Sequence, residues 1–376
     1  MTLLPDFKLE TYFSEWEFKV RFNLCGSDME SISISELLKM AIKEDKELWD
    51  NMQLGYTETY GSLALRSAIA NTYKNVKPEN ILVFAGAEEG IFIAMHTLLT
   101  QDDHAIVITP NYQSLETIPN SICSVTGIGL DPNKNWHLDI NKIKDAIRQN
   151  TRLISINFPH NPTGKIISEN EFHSIVKIAK EKNIYLFSDE VYRLMERKKS
   201  SRLPQVADIY QKGLSLNVMS KAYGMPGLRI GWIALRNKNI LSKMERLKHY
   251  LSICNSAPSE ILATIALNSK KNILERNKKI VTDNLIILNQ FFHKYSNLFD
   301  WNEPDGACIG YPKYHGEEDV ESFCKKLVKK TGVLLLPSSM FQSNVGPTPT
   351  NHFRIGYGKI NMKDGLMALQ QFLSKK

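Results

Sequence analysis

Between residues 81 and 235 one pattern repeats: a short apolar run, a turn, an amphipathic stretch, then another apolar run. The runs are ILVFAG (81–86), HAIVITP (104–110), SVTGIGL (124–130), RLISINFP (152–159), IYLFSDE (184–190), LSLNVMS (214–220) and RIGWIAL (229–235). Between them, EEGIFIAMHTLL and SENEFHSIVKIAKEKN carry helical spacing. Strands that alternate with helices specify an α/β layer, because each return to a parallel sheet needs a crossover. The fold class expected is a mostly parallel central sheet sandwiched by helices.

After residue 238 the helical stretches lengthen. They pass into GACIGYPKY (306–314), GVLLLP (332–337) and HFRIGYG (352–358), which bracket one helix and read as a second, smaller α/β lobe. The first 45 residues lack the sheet pattern and are expected to join that lobe. The partition expected is therefore 1–45 (arm and part of the small domain), 46–270 (large domain) and 271–376 (small C-terminal domain). QSNVGPTPTN (342–351) is a loop by composition.

A formal charge of +7 invites a nucleic-acid reading, but 47 basic residues are interleaved with 40 acidic ones. The densest basic runs, Arg197-Lys198-Lys199 and Lys325-Lys326 with Lys329-Lys330, are short and lack aromatics, as a solvated face does. Five scattered cysteines (25, 123, 254, 308 and 324) show no CxxC pair, so neither a disulfide framework nor a metal site is indicated. The N-terminus is studded with charges, and no run approaches a membrane span. A reduced, cytoplasmic protein that binds neither nucleic acid nor membrane is expected.

Four stretches sit at strand ends, where open α/β sheets keep their ligand crevice. In FAGAEEG (84–90), Gly86 lets the backbone come close, and the free amides of Ala87 and Glu88 open a helix that can hold a phosphate; a turn glycine is the plainer reading. NFPHNPTGK (157–165) is a tight turn by composition, yet its two asparagines can offer amides to a ligand. In LFSDEVY (186–192), Asp189 ends a strand, where an acid caps a helix or pairs with a cationic ring nitrogen. SLNVMSKAYGMPGLRIGW (215–232) ends a buried strand on Ser220-Lys221, with Arg229 eight residues on. Each has a structural reading alone. Together they fit a ligand bearing a phosphate, an aromatic nitrogen, a ring oxygen and an aldehyde, which is pyridoxal 5'-phosphate (PLP). A desolvated lysine is the nucleophile such an aldehyde needs.

From Tyr56 to Gly358 the sequence resembles the fold-type I PLP enzymes of the class I/II aminotransferase family, typified by aspartate aminotransferase, most specifically in NPTG, SDEVY, SKAYGMPGLRIGW and FRIGYG. The resemblance implies a Schiff base and proton shuttle at Lys221, with Asp189 on the pyridine nitrogen. Asn161 and Tyr192 would meet the ring oxygen. Arg229 would hold the phosphate with the Gly86–Glu88 turn and Ser220 near it. Tyr112 would stack on the ring. Arg354 would grip the substrate α-carboxylate, with Asn161 and Gly26 beside it. Tyr56 would reach the phosphate of the neighbouring subunit, implying a homodimer. The implied reaction moves an amino group from an L-amino acid to a 2-oxo acid by ping-pong kinetics.

The sequence departs from the family in three places. Val218 stands where a Ser or Thr phosphate ligand is usual, NLCGSDMES (23–31) replaces a glycine-rich turn, and PSSMFQ (337–342) replaces another. The acids of the first altered turn, Asp28 and Glu30 beside Ser27, can receive a cationic side chain or simply form a surface turn. The N-terminal stretch also has a weaker resemblance to capreomycidine synthase, a PLP enzyme that eliminates and cyclises. A lyase or cyclase acting on an amino acid, possibly one with a cationic side chain, is thus the alternative. A ligand-responsive, non-enzymatic module would need a helix-turn-helix extension, for which the chain shows no spare residues.

Overall fold

The computed structural model describes residues 4–374. Its centre is a seven-stranded sheet ordered Ile81–Phe84, Gly231–Ala234, Gly213–Val218, Tyr185–Asp189, Thr151–Asn157, His104–Thr109 and Ser124–Gly129. All neighbours are parallel except Gly231–Ala234, which is antiparallel to both of its own. Every residue of Ile81–Phe84, His104–Thr109 and Tyr185–Asp189 is buried, so helices cover both faces. This is why these strands read as continuous apolar runs. Within this sheet only the edge strand Ser124–Gly129 has an exposed position.

One crossover helix starts where side chains satisfy its free amides. Ser168 and Glu171 form a reciprocal capping box at the head of Glu169–Glu181. The helix Ala87–Leu98 is different: Gly86 precedes it and no side chain caps it. Its first amides stay available at the carboxyl edge of the sheet.

The rest of the chain builds smaller sheets. Phe353–Gly356 lies between Ile309–Gly310 and Leu336–Pro337, antiparallel to both. Phe22–Asn23 pairs in parallel with Val333–Leu334, which ties the N-terminal segment to the C-terminal part of the fold. GVLLLP, read above as one strand, therefore serves two sheets. Val333, Leu334, Leu335 and Leu336 are all fully buried, so no alternation marks the break. A helix of 25 residues, Lys270–Lys294, spans roughly 37 Å at 1.5 Å per residue and packs between the parts. Leu24 and Met29 share one apolar core with Phe353, Ile355 and the central strands. The turn between them, residues 23–31, is thereby drawn to the end of the sheet.

Candidate active site

Asn157 and Asp189 are register partners at the ends of adjacent parallel strands, and Val218 ends the next one. A cavity of about 360 Å³ opens there. Of the residues expected from sequence, Ala87, Glu88, Tyr112, Asn161, Asp189, Tyr192, Ser220, Lys221 and Arg229 line it.

One end is built for an anion. Gly86 has φ +98 and ψ 174, a conformation closed to other residues, and it delivers the uncapped amides of Ala87 and Glu88 to the cavity. Arg229 takes the left-handed conformation, donates Nη1 to the Pro226 carbonyl at 3.1 Å, and lies over this turn. A Cβ on Gly86 would sit 2.5 Å from Arg229 Nη2. On the other side, a Cβ on Gly231 would meet the Gly86–Ala87 backbone at 2.7–2.9 Å. Two missing side chains thus make a cradle of helix amides and a guanidinium, which fits a phosphate. Val218 is buried in the wall and offers no hydroxyl, so amides and Arg229 must carry the charge.

The Glu88 side chain does not turn away from the cavity. It accepts from Ser114 Oγ at 3.0 Å, and burial pushes its carboxyl up to about 7.

At the centre, the Asp189 carboxylate accepts from the Val191 amide at 3.1 Å and is 5 % exposed. Burial pushes it up to about 7, against the pull of that amide and of Lys221. Lys221 Nζ donates to Ser27 Oγ at 2.9 Å. Burial lowers its pKa, and the charge of Arg354 adds to this while Asp28 opposes it. Ser27 also accepts, through its carbonyl, from the Tyr192 hydroxyl at 3.1 Å. A cationic ring nitrogen would satisfy Asp189, and an amine with a weakened hold on its proton stands nearby. These residues fit PLP.

Arg354 sits behind the wall rather than in it. It is 1 % exposed, donates Nε and Nη2 to the Cys25 carbonyl at 3.1 and 2.8 Å, and donates Nη1 to Asn161 Oδ1 at 3.2 Å. Among the described residues no carboxylate pairs with it. A buried guanidinium with neutral partners only is a standing demand for an anion.

The sequence model of the family "Aminotransferase class I and II" matches residues 21–370. The chain belongs to that family. The solved structure of a PLP-dependent aminotransferase from Streptococcus suis superposes with a TM-score of 0.91, at 30% identity, covering 99% of this chain and 98% of that one. Aspartate aminotransferase of Pyrococcus horikoshii is 29% identical over 86% of this chain and 82% of its own length. Capreomycidine synthase of Streptomyces vinaceus is 24% identical over 98% and 94%. The fold is that of the fold-type I PLP enzymes, the cofactor is PLP, and the chain is a PLP-dependent aminotransferase.

Three residues expected in the aminotransferase's site lie off the cavity surface besides Arg354. Gly86 underlies its lining residue Ala87. Gly26 follows Cys25, and its carbonyl packs on Gly356. Tyr56 is 93% exposed and lines no part of its own chain's cavity. The acids of the altered turn are spoken for: Lys359 Nζ donates to Asp28 at 2.7 Å, and the Ile360 amide donates to Glu30 at 2.9 Å. Asn157 and Glu10 do line the cavity and were not singled out individually. Asn157 Nδ2 donates to the Asp189 carbonyl at 3.0 Å, while its Oδ1 accepts from the Asn161 amide at 2.8 Å. Its position as the last residue of a buried strand was the available signal. Glu10 had none, because its partner Tyr112 is distant in sequence.

Proposed function

We propose that this aminotransferase divides the work among its residues as follows. Arg229 and the amides of Ala87 and Glu88 hold the phosphate, with Ser220 beside them. Tyr112 stacks on the ring, Asn161 and Tyr192 bond its oxygen, and Asp189 keeps a proton on its nitrogen. When bound, PLP supplies an electron sink for the pair left on the substrate's α-carbon. Arg354 fixes the α-carboxylate, assisted by Asn161 and the Gly26 turn, so that the α-hydrogen faces Lys221. Lys221 Nζ would then take that proton as base and return it as acid to the carbon on the far side of the amino nitrogen. Ser27, bonded to Lys221 and near Tyr192, holds the amine in position between turns. The amino group leaves on one substrate and returns on a second, a 2-oxo acid. Aspartate is the donor named for several relatives, and charge in this cavity bears on whether it is the donor here.

The proposal extends to assembly: a cytoplasmic homodimer, divided as 1–45, 46–270 and 271–376, with Tyr56 serving the partner's phosphate. Residues 1–3 and 375–376 of that division lie outside the described ones.

The observation that carries the assignment is Arg354, buried without a counter-charge and bonded to a residue of the PLP cavity. Replacing the fork by a point charge, Arg354→Lys, is expected to lower kcat/KM for the amino donor about 100-fold. The visible PLP band is expected to persist. An unchanged kcat/KM would remove Arg354 from the substrate site.

A second reading, elimination with ring closure, is favoured by the near-complete coverage of capreomycidine synthase. It predicts ammonia or a cyclic product without any acceptor acid.

A further inference from the structure

Once the cofactor and the α-carboxylate are provided for, the charge left over in the cavity is negative. Its charged lining residues are Glu10, Glu88, Asp189, Lys221 and Arg229. Lys221, Asp189 and Arg229 face PLP, and Arg354 is committed to the α-carboxylate. Among the described residues of this chain no lining cation remains for a second carboxylate, whereas Glu10 and Glu88 have no assigned ligand group.

Glu10 belongs to the helix Lys8–Trp16, which is fastened across the mouth of the cavity. The Lys8 amide donates to Gln113 Oε1 at 2.9 Å, and Gln113 Nε2 donates to the Asp6 carbonyl at 2.8 Å. From the same helix Lys8 Nζ reaches the Gln342 carbonyl and Tyr12 the Leu335 carbonyl. Phe7 packs on Tyr112 with ring centroids 5.2 Å apart. The Tyr112 hydroxyl donates to Glu10 Oε1 at 3.2 Å, which aims the carboxylate and leaves Oε2 free to accept. Glu17, at the far end of the helix, is seven residues from Glu10. Two turns put both on one face, about 10 Å apart along the axis. Glu17 does not line the cavity, but the charges of Asp28 and Lys221 act on it.

None of Glu10, Glu17 and Glu88 pairs with a cation among the described residues. Asp28, by contrast, is neutralised by Lys359. Burial, and after it the charge of Glu10, raises the proton affinity of Glu17 and Glu88, and a positive ligand group relieves such uncompensated carboxylates. We propose that the amino donor has a cationic side chain, an ammonium or guanidinium on a linear stem, and that Glu10 is the residue that selects it. The proposal rests on the cavity being the PLP and α-carboxylate site, and it rejects dicarboxylic donors on charge.

The test uses the PLP-loaded protein and three carboxylates that lack an α-amino group and so cannot react: 5-guanidinopentanoate, hexanoate and glutarate. Their binding is measured by calorimetry. The guanidino acid is expected to bind about five-fold tighter than hexanoate, the upper end of what an exposed charge pair gives, with glutarate weakest. Glu10→Gln is expected to bring the guanidino acid level with hexanoate, because the exposed-pair contribution goes with the carboxylate. Tighter binding of glutarate than of the guanidino acid, or a preference untouched by Glu10→Gln, overturns the proposal. A protein that gains no yellow colour with PLP overturns the cofactor reading beneath it instead.

Discussion

Asp189 illustrates how a single residue can be costly to the empty fold and necessary to the filled one. Its folded pKa is about 7, raised first by burial. A free aspartate titrates near 3.9. The folded protein therefore holds that proton more tightly than the unfolded chain does. The resulting stabilisation is complete below about pH 4 and lost as the pH rises through about 7. In PLP-free protein, Asp189→Asn is expected to raise stability at pH 8 by up to about 4 kcal/mol, and Tm with it, the gain shrinking towards pH 5. The same variant is expected to lose transamination almost completely, because the ring nitrogen loses its anionic partner. Thermal melts across that pH range, beside activity, check both halves. A PLP-free variant less stable than the parent at pH 8 would contradict the assignment of Asp189 as a strained, ligand-awaiting carboxyl.

Among the elements, the turn between Ile81–Phe84 and Ala87–Leu98 is the proposed seat of the cofactor's phosphate. The start of this helix has no side-chain cap, follows a glycine at positive φ and is covered by Arg229. Gly86→Ala forces a side chain into a backbone conformation worth about 1–3 kcal/mol of strain and into the guanidinium. PLP affinity is expected to fall at least about five-fold, which follows from the lower end of that cost. Equilibrium dialysis with PLP would show it, and unaltered affinity would put the phosphate elsewhere. The turn was legible in the sequence because everything it needs is local: a buried strand, a glycine, a helix. Lys221, Asp189 and Asn161 were legible for the same reason. Ser27 and Glu10 owe their places to contacts with Lys221 and Tyr112, 194 and 102 positions away. Spacing within one segment carries no trace of such a contact. The split of GVLLLP was hidden by uniform burial, and the pairing of Asp28 with Lys359 spans 331 positions.

The whole molecule leaves an apolar surface uncovered around the segment that bears Tyr56. Leu54, Tyr56, Leu63 and Tyr250 are 83, 93, 59 and 86% exposed. That segment is nonetheless rigidly held. Buried Lys248 donates to the carbonyls of Thr59 and Val83 at 2.6 and 2.8 Å, and Thr57 donates to the Asn255 carbonyl at 2.8 Å. An ordered, anchored apolar patch is what a subunit interface requires. Hybrid dimers of Lys221→Ala and Tyr56→Phe chains test the exchange of Tyr56. The Lys221-bearing site of the hybrid is expected to recover the parent's PLP affinity, because its tyrosine comes from the other chain. Affinity equal to that of the Tyr56→Phe homodimer would mean the tyrosine serves its own subunit.

The most direct measurement is the visible spectrum of the PLP-loaded protein mixed with amino acids in the absence of any 2-oxo acid. Transamination predicts that the yellow band fades while one equivalent of 2-oxo acid per site appears, and that adding a different 2-oxo acid restores it. A band that persists while ammonia or a cyclic product accumulates would contradict transamination.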